Sequence, residues 1–161
     1  MTKYFNNSAI LIVDKITTVK HYLNFLYKYN FKKVIFVKNK NIKIKKELFK
    51  TFNFETKMVN FSSKEFTYDI LKKKNIKNKI SGNLLVIRTS KFINLNLFKL
   101  YDIFLKNNQK LVITLSKYNK KFENTEFFFL KSNLIDKYDF SFHNLYKNKK
   151  YKIPFVKNEY F

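Results

Sequence analysis

Between Ser8 and Asp14 the chain reads Ala9-Ile-Leu-Ile-Val13, an apolar run with no polar interruption. Such a short, mostly β-branched run fits a strand covered on both faces, which requires a sheet flanked by helices. The residues that follow agree. Val19, Tyr22, Leu23, Leu26 and Tyr29 recur at helical spacing, leaving Lys20, Asn24 and Lys28 outward. Thr17 or Thr18 is placed to cap that helix and Asn30 to close it. Val34-Ile-Phe-Val37 is a second buried strand, so the chain opens as strand, helix, strand.

Ile42, Leu48, Phe49 and Phe52 predict a second helix, with lysines around its other faces. Residues 53–79 are less regular, with a helix expected around Lys64 to Lys74. The lone glycine, Gly82, stands before a third strand, Leu84-Leu-Val-Ile87. Asn94 is the expected cap of a helix carrying Leu97, Leu100, Tyr101, Phe104 and Leu105. Lys110 to Leu115 predicts a fourth strand, and Glu126 to Leu130 a fifth. Strands alternating with helices over 161 residues, without repeat or linker, predict a single-domain α/β sandwich. Its sheet would be mostly parallel or mixed, flanked by helices. Residues 1–131 form the expected α/β domain, and 132–161 a basic, aromatic extension packed on it.

Charge narrows the partners. Thirty-four Lys+Arg against eleven Asp+Glu give a net +23, a field that concentrates polyanions at the surface. Part of the excess is mutational. Lys, Asn, Phe, Ile and Tyr dominate, while Ala9, Gly82, Pro154 and Arg88 are each the only residue of their type, the pattern of an AT-rich genome. That bias does not by itself explain why acids are outnumbered about three to one.

Several chemistries lack their residues. With no cysteine there is no disulfide, thiolate metal site or cysteine nucleophile. One glycine excludes the P-loop and the GxGxxG turn, which need glycine where backbone approaches phosphate. His21 and His143 read as structural or surface residues. Asp102, Glu123, Glu126, Asp136 and Asp139 are scattered. Asp14 ends the first strand, where α/β ligand sites often lie, but a loop cap or an ion pair with a nearby lysine is the expected role. No catalytic residue, cofactor or metal is expected. No apolar run reaches the roughly 18 residues of a membrane span, and Asn6, Asn7 and Ser8 interrupt any apolar leader.

The candidate RNA-binding surface lies between residues 32 and 50. Lys32, Lys33, Lys38, Lys40, Lys43, Lys45, Lys46 and Lys50 crowd this segment, and Asn39 adds an amide. On a helix Lys43, Lys46 and Lys50 would share one stripe able to follow a phosphate backbone. Lysine binds phosphate as a flexible point charge, which suits backbone recognition more than base reading. Most of the aromatic residues fall at core spacing.

These landmarks resemble the stalk-base protein of the large ribosomal subunit, large-subunit ribosomal protein ten in bacteria and P-zero in eukaryotes. Ile10-Leu-Ile-Val13-Asp14, the threonine-capped helix to Tyr29, Val37-Lys38-Asn39 with its basic helix, and Ser81-Gly82-Asn83 before Leu84 to Ile87 stand in that family's order over residues 8–125. The resemblance implies a structural, ribosomal-RNA-binding constituent of the large subunit beside companion protein eleven. Lys38, Asn39 and Lys43 to Lys46 would be its basic contact. An AT-rich mitochondrial ribosome is the expected location, or else the cytoplasm of an AT-rich bacterium. Lys40 stands where the motif has threonine and Asn83 where it has proline. Residues 132–161 do not resemble the long helix that recruits acidic stalk dimers, which leaves that recruitment open.

The same order also looks like a sugar-nucleotide transferase core. That family requires a glycine-rich phosphate loop near its start and an Asp after the later strand. Here the loop is missing and Arg88-Thr89-Ser90 holds the Asp position, which implies a degenerate, non-catalytic version. A lineage-specific subunit of an organellar complex is the third reading.

Overall fold

A computed structural model describes residues 8–62, 65–106, 111–118 and 121–136. Six strands form one sheet: β1 Ser8–Val13, β2 Lys33–Asn39, β3 Glu55–Phe61, β4 Asn83–Arg88, β5 Leu111–Tyr118 and β6 Lys121–Lys131. Their order is β3-β2-β1-β4-β6-β5. The first four strands run parallel, and β6 is antiparallel to both β4 and β5. The expected α/β domain with a mixed sheet is therefore present.

Every residue of β1 is buried, because parallel neighbours flank its edges and helices cover both faces. Side chains alternate across a strand, so two cores form. Ala9, Leu11 and Val13 join Val34, Phe36, Leu85, Ile87, Phe127 and Phe129 beneath helices α1 (Val19–Lys28) and α5 (Leu97–Lys106). Ile10 and Ile12 join Ile35, Val37, Leu84, Val86 and Phe128 beneath α3 (Thr67–Lys72) and α4 (Lys74–Lys77). Removing any of these Val, Leu, Ile or Phe side chains from water is worth roughly 1.5–3 kcal/mol. Leu134 and Ile135, just past β6, also pack into this second core. Of the proposed extension, residues 137–161 lie outside the described residues.

The helix ends show how local chemistry was used. Asn30 takes φ 58°, and Phe31 N–H donates to Leu26 O while Asn30 N–H donates to Tyr27 O. That paired closure is a Schellman motif, with Asn30 as the left-handed residue. Thr18 does not cap α1 with its side chain; a single 3-10 turn, Ile16–Thr18, precedes the helix instead. At α5 the cap is Asn96 rather than Asn94, since Lys99 N–H donates to Asn96 Oδ1 at 3.1 Å. Asn94 lies two residues further from the helix, and the Leu97 N–H three residues beyond it donates to Tyr29 OH at 3.2 Å instead.

Two departures are larger. The helix expected from Ile42 to Phe52 shrinks to one turn, α2 Glu47–Lys50. Before it, Ile42 and Ile44 pack on the core while Lys43 and Lys45 are exposed, a two-residue alternation that belongs to extended chain. The irregular region contains an unexpected strand, β3. It is an edge strand in which only Val59 and Phe61 are buried, so its sequence lacks the apolar run of its neighbours.

Candidate functional site: a switch point closed by arginine

The order β3-β2-β1-β4 reverses direction between β1 and β4, and α/β sheets bind ligands outside the carboxyl ends of strands at that reversal. Asp14 follows β1 and Arg88 ends β4 there. Both continue the alternation of the α3-facing core, one step beyond Ile12 and Val86. They stand where that apolar layer stops.

Arg88 fills the position with a forked ion pair. Its Nε donates to Asp14 Oδ2 at 2.5 Å and its Nη2 to Asp14 Oδ1 at 3.1 Å. Nη1 donates to Glu65 O at 3.1 Å and Thr67 Oγ1 at 3.2 Å. Glu126 Oε2 lies 3.5 Å from Nε, and Glu126 Oε1 accepts from Thr67 Oγ1 at 2.8 Å. The Arg88 side chain is only 12% exposed. Burial opposes its charge, but the Asp14 hydrogen bond and the charges of Glu126 and Asp14 outweigh that, holding the guanidinium above its ordinary value. A planar fork of donors suits this arrangement where a lysine would not.

Glu126 reaches the arginine through a bulge. Ile113 pairs with Phe128, but Leu115 pairs with Asn124, so extra residues crowd onto β6 at this point. Glu126 there takes φ 55°, a left-handed conformation that costs a non-glycine residue free energy. Bulges commonly re-aim a side chain beside a site. The backbone groups they displace are satisfied by buried threonines: Thr114 Oγ1 donates to Phe127 O at 2.7 Å and Thr125 Oγ1 to Thr114 O at 2.9 Å.

The other face of the reversal is closed by Thr89. Its hydroxyl accepts from Asp14 N–H and Lys15 N–H at 3.0 and 3.1 Å and donates to Lys15 O at 3.1 Å. Thr18, the expected cap, donates to Thr89 O at 2.9 Å. The β1–α1 connection is thus tied to β4 by hydroxyl groups, with no glycine available to open it. Behind it, Tyr22 OH donates to Lys91 O at 2.5 Å and accepts from Ile93 N–H at 3.1 Å. Burial pushes the Tyr22 phenol up to about 12, against a smaller opposing effect of the Ile93 hydrogen bond. His21 Nε2 lies 3.1 Å from Ile93 O, a structural role; His143 lies outside the described residues. Tyr22 and His21 thus hold the β4–α5 loop.

The predicted RNA-binding lysines do not form one surface. Lys32 and Lys33 stand at the start of β2, and Lys38, Asn39 and Lys40 at its end, about 17 Å away at 3.3 Å per residue. Lys32 Nζ donates to Asn30 Oδ1 at 2.8 Å, and Lys33 faces Glu55 at 4.0 Å. Lys38 Nζ donates to Ile42 O at 3.0 Å, and Asn39 Oδ1 accepts from Asn41 N–H at 3.0 Å, so both help to close the turn after β2. Lys40, Lys43, Lys45, Lys46 and Lys50 are exposed. Lys43, Lys46 and Lys50 share no helical stripe, because Lys43 precedes α2 on extended chain. Asp14 pairs with Arg88 rather than with a lysine. Glu126, read as a scattered acid, joins it. The available signal was the chain's one arginine, placed at a strand end among 34 basic residues.

Fold and site together define a doubly wound α/β protein whose switch point holds an internal ion pair. The chain is similar to 4-diphosphocytidyl-2C-methyl-D-erythritol synthase from Anaerococcus prevotii DSM 20548, with 15% identity and a TM-score of 0.57 over 85% of this chain and 75% of that one. At that identity the likeness is one of fold. No family model and no curated protein matches the chain.

Proposed function

We propose that this protein is a non-catalytic, RNA-binding structural subunit built on a nucleotidyltransferase-like scaffold. The observation that carries the reading is Arg88, seated between Asp14 and Glu126 at the switch point. In this class of sheet the crevice is where a ligand would enter, and here it is taken by the protein's own side chains. The similar synthase is named for a diphosphocytidyl product; this chain has neither a glycine-rich loop nor an Asp after β4. Its remaining resource is charge, +23 overall, a field favouring a polyanionic partner.

Ribosomal RNA at the stalk base of a large subunit, next to companion protein eleven, is the particular partner we propose. The order of landmarks from Ile10 to Ile87 supports it, and the AT-rich composition suggests a mitochondrial ribosome. The exposed Lys40, Lys43, Lys45, Lys46 and Lys50 would then contact phosphates. Among the described residues, no helix is long and apolar enough to cross a membrane.

Sedimentation of native complexes tests this directly. The protein should travel with large subunits and leave them after RNase treatment. Purified protein should bind RNA with an affinity that falls steeply with salt, by about 0.7 log units per contacted phosphate for each tenfold rise in salt on single strands. Turnover of a nucleotide sugar, or co-sedimentation with a complex lacking RNA, would overturn the reading.

A further inference from the structure

On the face of the sheet opposite Arg88, Lys20, Asn24 and Tyr27 follow one stripe of α1 at i, i+4 and i+7, and all three are exposed. Beside them, between α1 and the segment around α2, is a groove of about 380 Å³. Lys20, Asn24, Lys45 and Thr51 supply its polar wall, with Leu48 and Phe52 as apolar lining; Glu47 is its one carboxylate. Tyr27 stands next to it, 58% exposed, its ring edge-to-face with Phe52 at 5.7 Å. Phe52 in turn stacks on Phe54 at 5.6 Å and 15°, so the tyrosine rests on an ordered aromatic pair.

We propose that this groove binds single-stranded RNA, with backbone phosphates against Lys20 and Lys45 and a base stacked on Tyr27. The proposal rests on the RNA-binding reading and gives it a location. Its volume falls at the small end of ligand-sized clefts, roughly 300–1,000 Å³, which suits one nucleotide unit. Two ammonium groups against one carboxylate complement a phosphate. An exposed aromatic ring beside cationic groups is the arrangement that holds unpaired bases, because a duplex keeps its base faces stacked inside. Of the lysines singled out in the sequence, only Lys45 lines this groove. Lys20 and Tyr27 come from a helix read as a packing element.

The test is fluorescence anisotropy of the full chain with a labelled oligouridylate of about ten nucleotides, within the site size of such grooves, and with a duplex of equal length. Tyr27→Ser should weaken single-strand binding about tenfold, the low-to-middle range for one stacked base, with no change in salt slope. Tyr27→Phe should restore it. Lys20→Gln with Lys45→Gln should lower the slope by about 1.4, two phosphates at about 0.7 each. Glu47→Gln should tighten binding. Tyr27 is exposed, so melting temperature serves as the control that Tyr27→Ser still folds. If the wild-type chain binds single strands and these variants bind equally well, the groove is wrong and the RNA-binding reading stands. Binding to duplex alone has the same consequence. Failure of the wild-type chain to bind either RNA overturns both.

Discussion

Arg88 and Asp14, 74 residues apart in the chain, meet in a two-point ion pair at 2.5 and 3.1 Å. The contact joins the ends of two adjacent parallel strands at the point where the sheet reverses its winding. Thr67, Glu65 and Glu126 bring α3, the loop before it and the β6 bulge to the same guanidinium. The place that in this architecture commonly receives a ligand is here a structural joint.

Replacing Arg88 by Met should therefore destabilise the fold. It leaves the Asp14 and Glu126 side chains, 22% and 29% exposed, without their cation. The expected loss is about 2–3 kcal/mol, somewhat below the roughly 3–5 kcal/mol for breaking a fully buried pair. Urea unfolding measures it. Asp14→Asn combined with Arg88→Met should cost less than the two single losses added, since the residues share one interaction.

The α5 cap makes a sharp comparison. Asn96→Ala removes the acceptor for Lys99 N–H and should cost about 1 kcal/mol, whereas Asn94→Ala should change stability by less than about 0.5 kcal/mol. Equal effects in thermal melts would refute the assignment.

Tyr22 predicts an alkaline limit. Its phenol ionises at about 12 in the folded chain against 10.0 ordinarily. Below pH 10 both states keep the proton and the contribution is complete. Between pH 10 and about 12 the unfolded chain releases the proton more readily, so stability falls as pH rises. Tyr22→Phe should remove that part of the decline, seen as a shallower loss of stability between pH 10 and 12. It should also loosen residues 91–93, detectable by faster amide exchange at Ile93.

Glu65 predicts the opposite limit. Hydrogen bonding to Lys73 Nζ, at 2.8 Å, holds its carboxyl below the ordinary 4.5 despite burial. A lowered folded value means stability is present above the ordinary pKa and lost as pH falls below it. Lys73→Met should blunt that loss between about pH 5 and the protein's acid unfolding point, followed by circular dichroism.

Much of the fold was legible because hydrophobic period is a local property. The unbroken run Ala9 to Val13 fits a covered strand, and α1 declared both its apolar stripe and its Asn30 terminus. The segment from Ile42 departs from the expected helix: Ile42, Leu48, Phe49 and Phe52 also fit a helical spacing, whereas the Ile42–Ile44 alternation belongs to extended chain. Only their packing against the core separates the two. Strand β3 was hidden for a related reason: an edge position buries Val59 and Phe61 alone, and no apolar run marks it.

The site was less legible. Asp14 and Arg88 could each be placed at a strand end, but their pairing depends on β4 lying beside β1. That adjacency is created by crossover connections between strands far apart in sequence. Glu126 reaches them only because a bulge tilts its backbone. The lysines illustrate the converse: close in sequence from 32 to 50, they are divided between opposite ends of β2 by the length of the strand. The sequence by itself determined the α/β class, the doubly covered first strand, the helix closure at Asn30 and the net positive charge. Tertiary structure decided which charges meet, because strand order and register are set by long-range packing that no local pattern records.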